Sequence, residues 1–342
     1  TGQTGGVPDV DIDAPEAWNT ETGDSSVVVG VVDTGIDYNH EDLAENIWTN
    51  PGEIPGNGID DDNNGYVDDI HGWDFAYDDN DPMDGHGHGT HVAGTIGAVG
   101  DNGIGIAGVN WDVQIMALKF LGADGSGTTS DAIEAIRYAV DNGARILNMS
   151  FGGTSASQTL EAAMQYAWDA GAVMVCAAGN DGTHQVHYPG AYDPYCVAVA
   201  ATDHDDVRAG FSNVGPEVDL AAPGVAVFSA TRYLNEWQET HRFIYGTANG
   251  TSASTAYVSG LAALVLSQDP SLTSDELVDR IKFTADPVLT DPALGEDERL
   301  GTGRINALRA LTEPPACVLL VDAVTVADAD GRLSPGETAD LL

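Results

Sequence analysis

Short apolar runs rich in β-branched residues alternate with longer stretches of helical periodicity along most of the chain. Val27–Val32, Val113–Leu118, Ile146–Met149, Val173–Ala177, Cys196–Ala201 and Val218–Ala221 read as strands. Between them the periodicity predicts helices after His88, near Asp131–Asp141 and near Gln158–Ala170. Strands so uniformly apolar have no face for water, which argues for a mostly parallel central β-sheet with helices on both faces, a three-layer α/β arrangement. A long apolar helix, Ser252–Leu266, opens near Thr251, and a later helix carries Thr273 and Glu276 at capping-box spacing and ends before Pro287.

A chain of 342 residues with 42% hydrophobic content supports one large core. Near Glu313 the pattern changes to Pro314-Pro315 followed by Val/Leu-rich and Asp/Gly-rich sequence. Residues 1–312 are therefore expected to form the principal domain, and 313–342 a linker and the cut-off start of a β-rich module. A strand packing on the main domain is the alternative.

No apolar run approaches the roughly 18 to 20 residues that span a bilayer, and no basic-then-apolar leader or initiating Met opens the chain. The expectation is a trimmed or mature form whose targeting and pro-segments lie elsewhere in a precursor. Acidic residues number 54 against 12 basic ones, a formal charge of −42, so nucleic acid and anionic membranes are excluded as partners. Such a surface stays hydrated in salty water, where self-repulsion is screened, and part of the excess is available to bind Ca²⁺. Cys176, Cys196 and Cys317 are too few for a disulfide-built scaffold and lack zinc-site spacing. Cys176 and Cys196 sit in neighbouring apolar runs, which leaves a bridge or two buried thiols open.

Three segments place a reactive side chain beside glycines at the end of an element. They are Val31-Val32-Asp33-Thr34-Gly35, His88-Gly89-Thr90-His91-Val92-Ala93-Gly94 and Asn249-Gly250-Thr251-Ser252. A serine hydroxyl is a poor nucleophile until an imidazole takes its proton, and the imidazole needs a carboxylate to fix its tautomer. Each residue alone also suits a turn, a loop or an N-cap. Together the segments resemble the subtilase family of serine peptidases, in the same Asp, His, Ser order, with similarity from roughly Val7 to Leu311.

The resemblance implies a subtilisin-like fold and a secreted, extracellular, monomeric endopeptidase acting on proteins and peptides. Asp33, His88 and Ser252 would be its triad, with Asn180, in Ala177-Ala178-Gly179-Asn180, donating to the oxyanion beside the Ser252 N–H. His91 would be structural. Gly125, Ser126 and Gly127 resemble the edge that pairs with an extended peptide, and Ser150, Phe151 and Gly152 a wall of the primary specificity pocket. His187 falls near that pocket's floor and would make it shallower or more polar. After the nucleophile the family usually has Met, Ala, a variable residue, Pro and His, whereas Ala253, Ser254, Thr255, Ala256 and Tyr257 stand here. These departures keep open a catalytically silent peptide-binding homologue; a second alternative is an acidic Ca²⁺-binding adhesive protein whose fold is incidental.

Asp60, Asp62, Asn64 and Tyr66 offer oxygen ligands at alternate positions around Gly65, the first half of a Ca²⁺ loop, and Asp68 or Asp69 would complete it because His71 replaces the usual Glu. By resemblance, Gln3, Asp42 and the Val99–Ile106 loop, with Val99, Asn102, Ile104 and Ile106 as ligands, would hold a second Ca²⁺. Asp328-Ala329-Asp330-Gly331 is a third candidate.

Overall fold

In a computed structural model, residue 7 and residues 10–232, 244–288 and 300–313 are described. Gln3, Cys317, the Asp328–Gly331 run and the segment beyond Glu313 lie outside them.

The strands β1 (Gly23–Asp33), β2 (Gly72–Asp74), β3 (Asp112–Lys119), β4 (Ile146–Met149), β5 (Val173–Ala177), β6 (Val197–Thr202) and β7 (Val218–Pro223) form one sheet. Their order is β2-β3-β1-β4-β5-β6-β7, and every pairing is parallel. Side chains along β1 and β3 alternate between two cores. Val29, Val31, Ile115 and Ala117 face α2 (His88–Gly97) and α5 (Thr251–Gln268), while Val32, Met116 and Leu118 face α3 (Thr129–Asp141) and α4 (Gln158–Asp169). Three layers follow directly from that alternation. The short α1 (Ala14–Ala17) together with α6 (Ser274–Phe283) and α7 (Ala307–Thr312) completes the α5 side. Thr273 and Glu276 form the expected capping box at α6.

The α5 helix has no polar face, being buried at fourteen of its eighteen positions. It can lie so deep because Gly260 lets it touch its neighbours: a Cβ there would stand 2.7 Å from Val109 Cβ and 3.3 Å from the Ile96 carbonyl. Besides the short helices α1 and α7, two strand features lie outside the sequence reading. Three-residue β2 is too short to show a period, and the antiparallel pair β8 (Val227–Thr231) and β9 (Ile244–Ala248) is built largely from small and hydroxyl residues.

Cys176 and Cys196 are free, buried thiols. Cys196 Sγ lies 3.2 Å from the Gly190 carbonyl, and burial, reinforced by Cys196, holds the Cys176 thiol well above its ordinary range. Of the two alternatives open in the sequence, this is the inert pair.

Candidate active site

β1 pairs with β3 on one side and β4 on the other, so the connections wind in opposite directions from it and a cleft opens at the strands' carboxyl ends. Asp33, the last residue of β1, is fully buried there. Its Oδ1 accepts the Thr34 N–H at 2.7 Å and lies 2.7 Å from His88 Nδ1. Because a carboxylate only accepts, the proton sits on Nδ1 and Nε2 is left as the base. Burial disfavours the imidazolium, but the charge and hydrogen bond of Asp33, with Asp84 adding, outweigh it and raise the His88 pKa.

Asp84 went unnoticed in the sequence. Its buried carboxylate accepts from Thr34 Oγ1 at 2.9 Å, from the His86 and Gly87 N–H groups at 2.8 Å, and from Thr90 N and Oγ1 at 2.9 and 2.6 Å. Thr34 Oγ1 in turn accepts the Gly89 N–H at 3.0 Å. Asp84 thereby fastens the end of β1 to the first turn of α2, which fixes Asp33 against His88. The available signal was a carboxylate four residues before His88 in a glycine-rich approach to a helix start.

Ser252 lies in the first turn of α5, facing the end of β4. Its Oγ donates to the Ser150 carbonyl at 3.1 Å, and Ser150 Oγ donates back to the Ser252 carbonyl at 3.0 Å. A buried ladder supports this pair: Asn148 Nδ2 donates to Ser150 Oγ at 2.9 Å, and Ser259 Oγ to Asn148 Oδ1 at 3.0 Å. Asn180 follows β5, and its side-chain carbonyl accepts from Thr251 N at 2.8 Å and Thr251 Oγ1 at 3.1 Å. With Oδ1 so held, the amino group is the part of the amide free to meet a ligand.

A groove of about 710 Å³ is lined by His88, by Gly125, Ser126 and Gly127 on one edge, and by Ser150, Phe151 and Gly152 on the other. It adjoins a recess of about 230 Å³ lined by Ser150, Phe151, Gly152, Asn180, His187 and Ser252. His91 lies outside both, buried with Nε2 3.0 Å from the Val227 carbonyl.

The subtilase family, peptidase S8, matches residues 24–303. The chain belongs to that family. It is 37% identical over 300 residues to thermitase from Thermoactinomyces vulgaris, covering 88% of this chain and 93% of that protein. Against subtilisin DY from Bacillus licheniformis identity is 36%, with 88% and 96% covered. The halolysin-like extracellular serine protease Nep of Natrialba magadii is 40% identical, but the chain spans only 50% of its length. A solved structure of proteases from Pseudoalteromonas arctica superposes with a TM-score of 0.72 at 33% identity, covering 88% of this chain and 93% of that one. The chain is accordingly a serine-type endopeptidase with a subtilisin-like fold.

In this subtilase the residues just after Ser252 that depart from the family's usual pattern pack as ordinary helix interior. Ala253 and Ala256 are buried, Ser254 Oγ donates to the Ala222 carbonyl at 2.9 Å, and Thr255 Oγ1 to the Thr251 carbonyl at 2.7 Å. The acidic loop brings carboxylate oxygens of Asp60, Asp62 and Glu53 within 4.8 Å of one another, a hard-oxygen set that suits Ca²⁺. Glu53 was not foreseen; it accepts the N–H groups of Asp61 at 2.7 Å and Asp68 at 3.1 Å, across the loop. Asp69 lies beneath, where Asn50 and Asn64 amides at 2.9 Å and the Tyr138 hydroxyl occupy its oxygens. Tyr66 packs its ring on Trp73, with centroids 5.0 Å apart. At the second predicted site, buried Asp42 accepts from Asn102 Nδ2 and from the Ile106 N–H, each at 2.8 Å. Its own carbonyl accepts the Val99 N–H at 2.9 Å, and the Ile104 N–H donates to Asn102 Oδ1 at 2.8 Å, so the loop folds around this carboxylate. Among the described residues, no helix is long and apolar enough to cross a membrane.

Proposed function

We propose that this subtilase is a secreted, broad-specificity endopeptidase that cleaves extended protein substrates through an acyl-enzyme on Ser252. The observation that carries the reading is the 2.7 Å contact of Asp33 with His88 at the head of a groove that runs into the recess containing Ser252. An extended peptide lies between the Gly125–Gly127 and Ser150–Gly152 edges, where main-chain pairing gives affinity with little demand on sequence. Ser252 Oγ rotates off the Ser150 carbonyl, attacks the scissile carbonyl and passes its proton to His88 Nε2. Asp33 keeps the ring oriented and offsets its positive charge. The Asn180 amino group and the Ser252 N–H stabilise the oxyanion, with the start of α5 favouring negative charge. His88 then protonates the departing amine, and water, activated by the same imidazole, releases the acid.

Calcium belongs to stability in this reading. Glu53, Asp60 and Asp62, with Asn64 and the Tyr66 carbonyl, would hold one ion, and Asp42 with Asn102 and the Val99, Ile104 and Ile106 carbonyls a second; the ions supply charge compensation and no step of the reaction. Extracellular action is supported by the name of the Natrialba relative and by an acidic surface suited to salty surroundings. The test is Ser252→Ala: loss of casein cleavage by a factor of about 10⁴ or more is expected. Unchanged cleavage would refute the assignment, and high-affinity peptide binding without turnover in the native protein would favour a silent homologue.

A further inference from the structure

We propose that His86 and His88 form a two-imidazole site for a transition-metal dication such as Zn²⁺, and that filling it switches the peptidase off reversibly. The site stands on the placement of the two rings; the switching rests on the reading of His88 as the general base.

Both rings line the groove, with centroids 6.4 Å apart and planes at 69°. His88 meets the usual condition for a metal ligand. Its Nδ1 donates to the Asp33 carboxylate at 2.7 Å, and a ligating imidazole commonly gives its other N–H to a carboxylate, which fixes the ring and strengthens the lone pair that binds. That lone pair is on Nε2. The side chain is 31% exposed, so an ion can reach it from the groove.

His86 supplies the second nitrogen. Its N–H donates to Asp84 Oδ1 at 2.8 Å, which pins the backbone, but among the described residues no hydrogen bond holds its exposed ring. Beside that ring stands Gly125, where even an added Cβ would keep 3.8 Å from His86 Nε2, so this edge leaves the imidazole room to turn. Two imidazoles on one tetrahedral Zn²⁺, each bound at about 2.0 Å, have centroids roughly 5 Å apart. The exposed ring closes the difference by rotating about its side-chain bonds.

Imidazole favours Zn²⁺, Cu²⁺ and Ni²⁺, whereas Ca²⁺ and Mg²⁺ take oxygen, so the ions that suit the acidic loop do not suit this pair. Buried Asp33 and Asp84 adjoin the two residues, and with the overall charge of −42 they favour a dication. Two protein ligands leave the other positions to water, which keeps the ion exchangeable. An ion on Nε2 occupies the lone pair that would take the Ser252 proton, so turnover stops until it leaves.

The experiment titrates ZnCl₂ and MgCl₂ into a peptide-cleavage assay of the native enzyme and of His86→Gln, with Ca²⁺ in excess to fill the oxygen sites. His86→Gln keeps size and polarity without the ligand, and each titration is normalised to the rate of the same preparation before addition. Loss of a group that only orients a ligand costs about 10- to 100-fold in metal affinity, so loss of the ligand itself should raise the half-inhibiting Zn²⁺ concentration at least about tenfold. Calorimetry of Zn²⁺ binding to Ser252→Ala, with and without His86→Gln, should show the same shift with no turnover involved. Zn²⁺ no more inhibitory than Mg²⁺, or equally inhibitory in both proteins, overturns the proposal. If no peptide is cleaved and an organophosphonate leaves Ser252 unlabelled, the reading of the reaction has failed and the switching falls with it. Calorimetry then decides the site by itself, and equal Zn²⁺ affinity with and without His86 rejects it.

Discussion

At the scale of single residues, the proposed chemistry depends on how charge is arranged around His88. Asp33 and Asp84 raise its pKa above the ordinary imidazole value despite burial. A general base must be neutral to act, so kcat/KM should fall as pH drops through a pKa above 6.5. Replacing Asp84 by Asn removes one anion, lowers that pKa and moves the acid limb to lower pH; it also points an amino group at donors that had an acceptor, costing about 1 to 3 kcal/mol of stability. A profile measured on folded Asp84→Asn checks the sign, and an unshifted or alkaline-shifted limb would deny Asp84 its electrostatic part. Asp33, His88, Ser252 and Asn180 were singled out in the sequence because their segments, taken together and in their order, resemble the motifs of the subtilase family. Asp84, Glu53 and the Asn148–Ser259 contact were not, since their roles exist only once remote segments meet. The Asn148–Ser259 partners are 111 residues apart in sequence.

At the scale of elements, α5 joins the sheet to the site. Its first turn carries Ser252 and its body is core, so damage to its packing reaches Ser252. Leu264 is fully buried, and Leu264→Ala should destabilise by about 2 to 5 kcal/mol with kcat of the folded fraction largely kept. Gly260→Ala should cost more than the usual helix preference for Ala returns, because its Cβ meets Val109. Urea midpoints of the two variants are the measurement; a Gly260→Ala protein more stable than the native one would contradict the packing described. The parallel sheet was readable because buried strands are continuous apolar runs, and β4 and β5 fall on the predicted residues. β8 and β9 escaped because hydroxyl and glycine residues hide the period, although β8 packs against the helix that carries His88.

Across the whole molecule, a charge of −42 sets the conditions under which the fold holds. Raising salt from about 0.1 to 1 M shortens the screening length from about 10 to 3 Å, so Tm should rise with NaCl. Clustered Glu53, Asp60 and Asp62 make the same argument locally. Calcium at a hundredfold its Kd would add about 2.7 kcal/mol, and a chelator should lower Tm by a few degrees before it affects kcat; a Tm unmoved by a chelator would remove calcium from the account. Neither effect bears on the proposed reaction, in which a carboxylate, an imidazole and a hydroxyl from residues 33, 88 and 252 act together. The most direct measurement is mass spectrometry of the intact protein after treatment with a serine-directed phosphonate. The account predicts one adduct, mapped to Ser252 and formed far more slowly in His88→Ala; an adduct elsewhere, or equal labelling without His88, would contradict it.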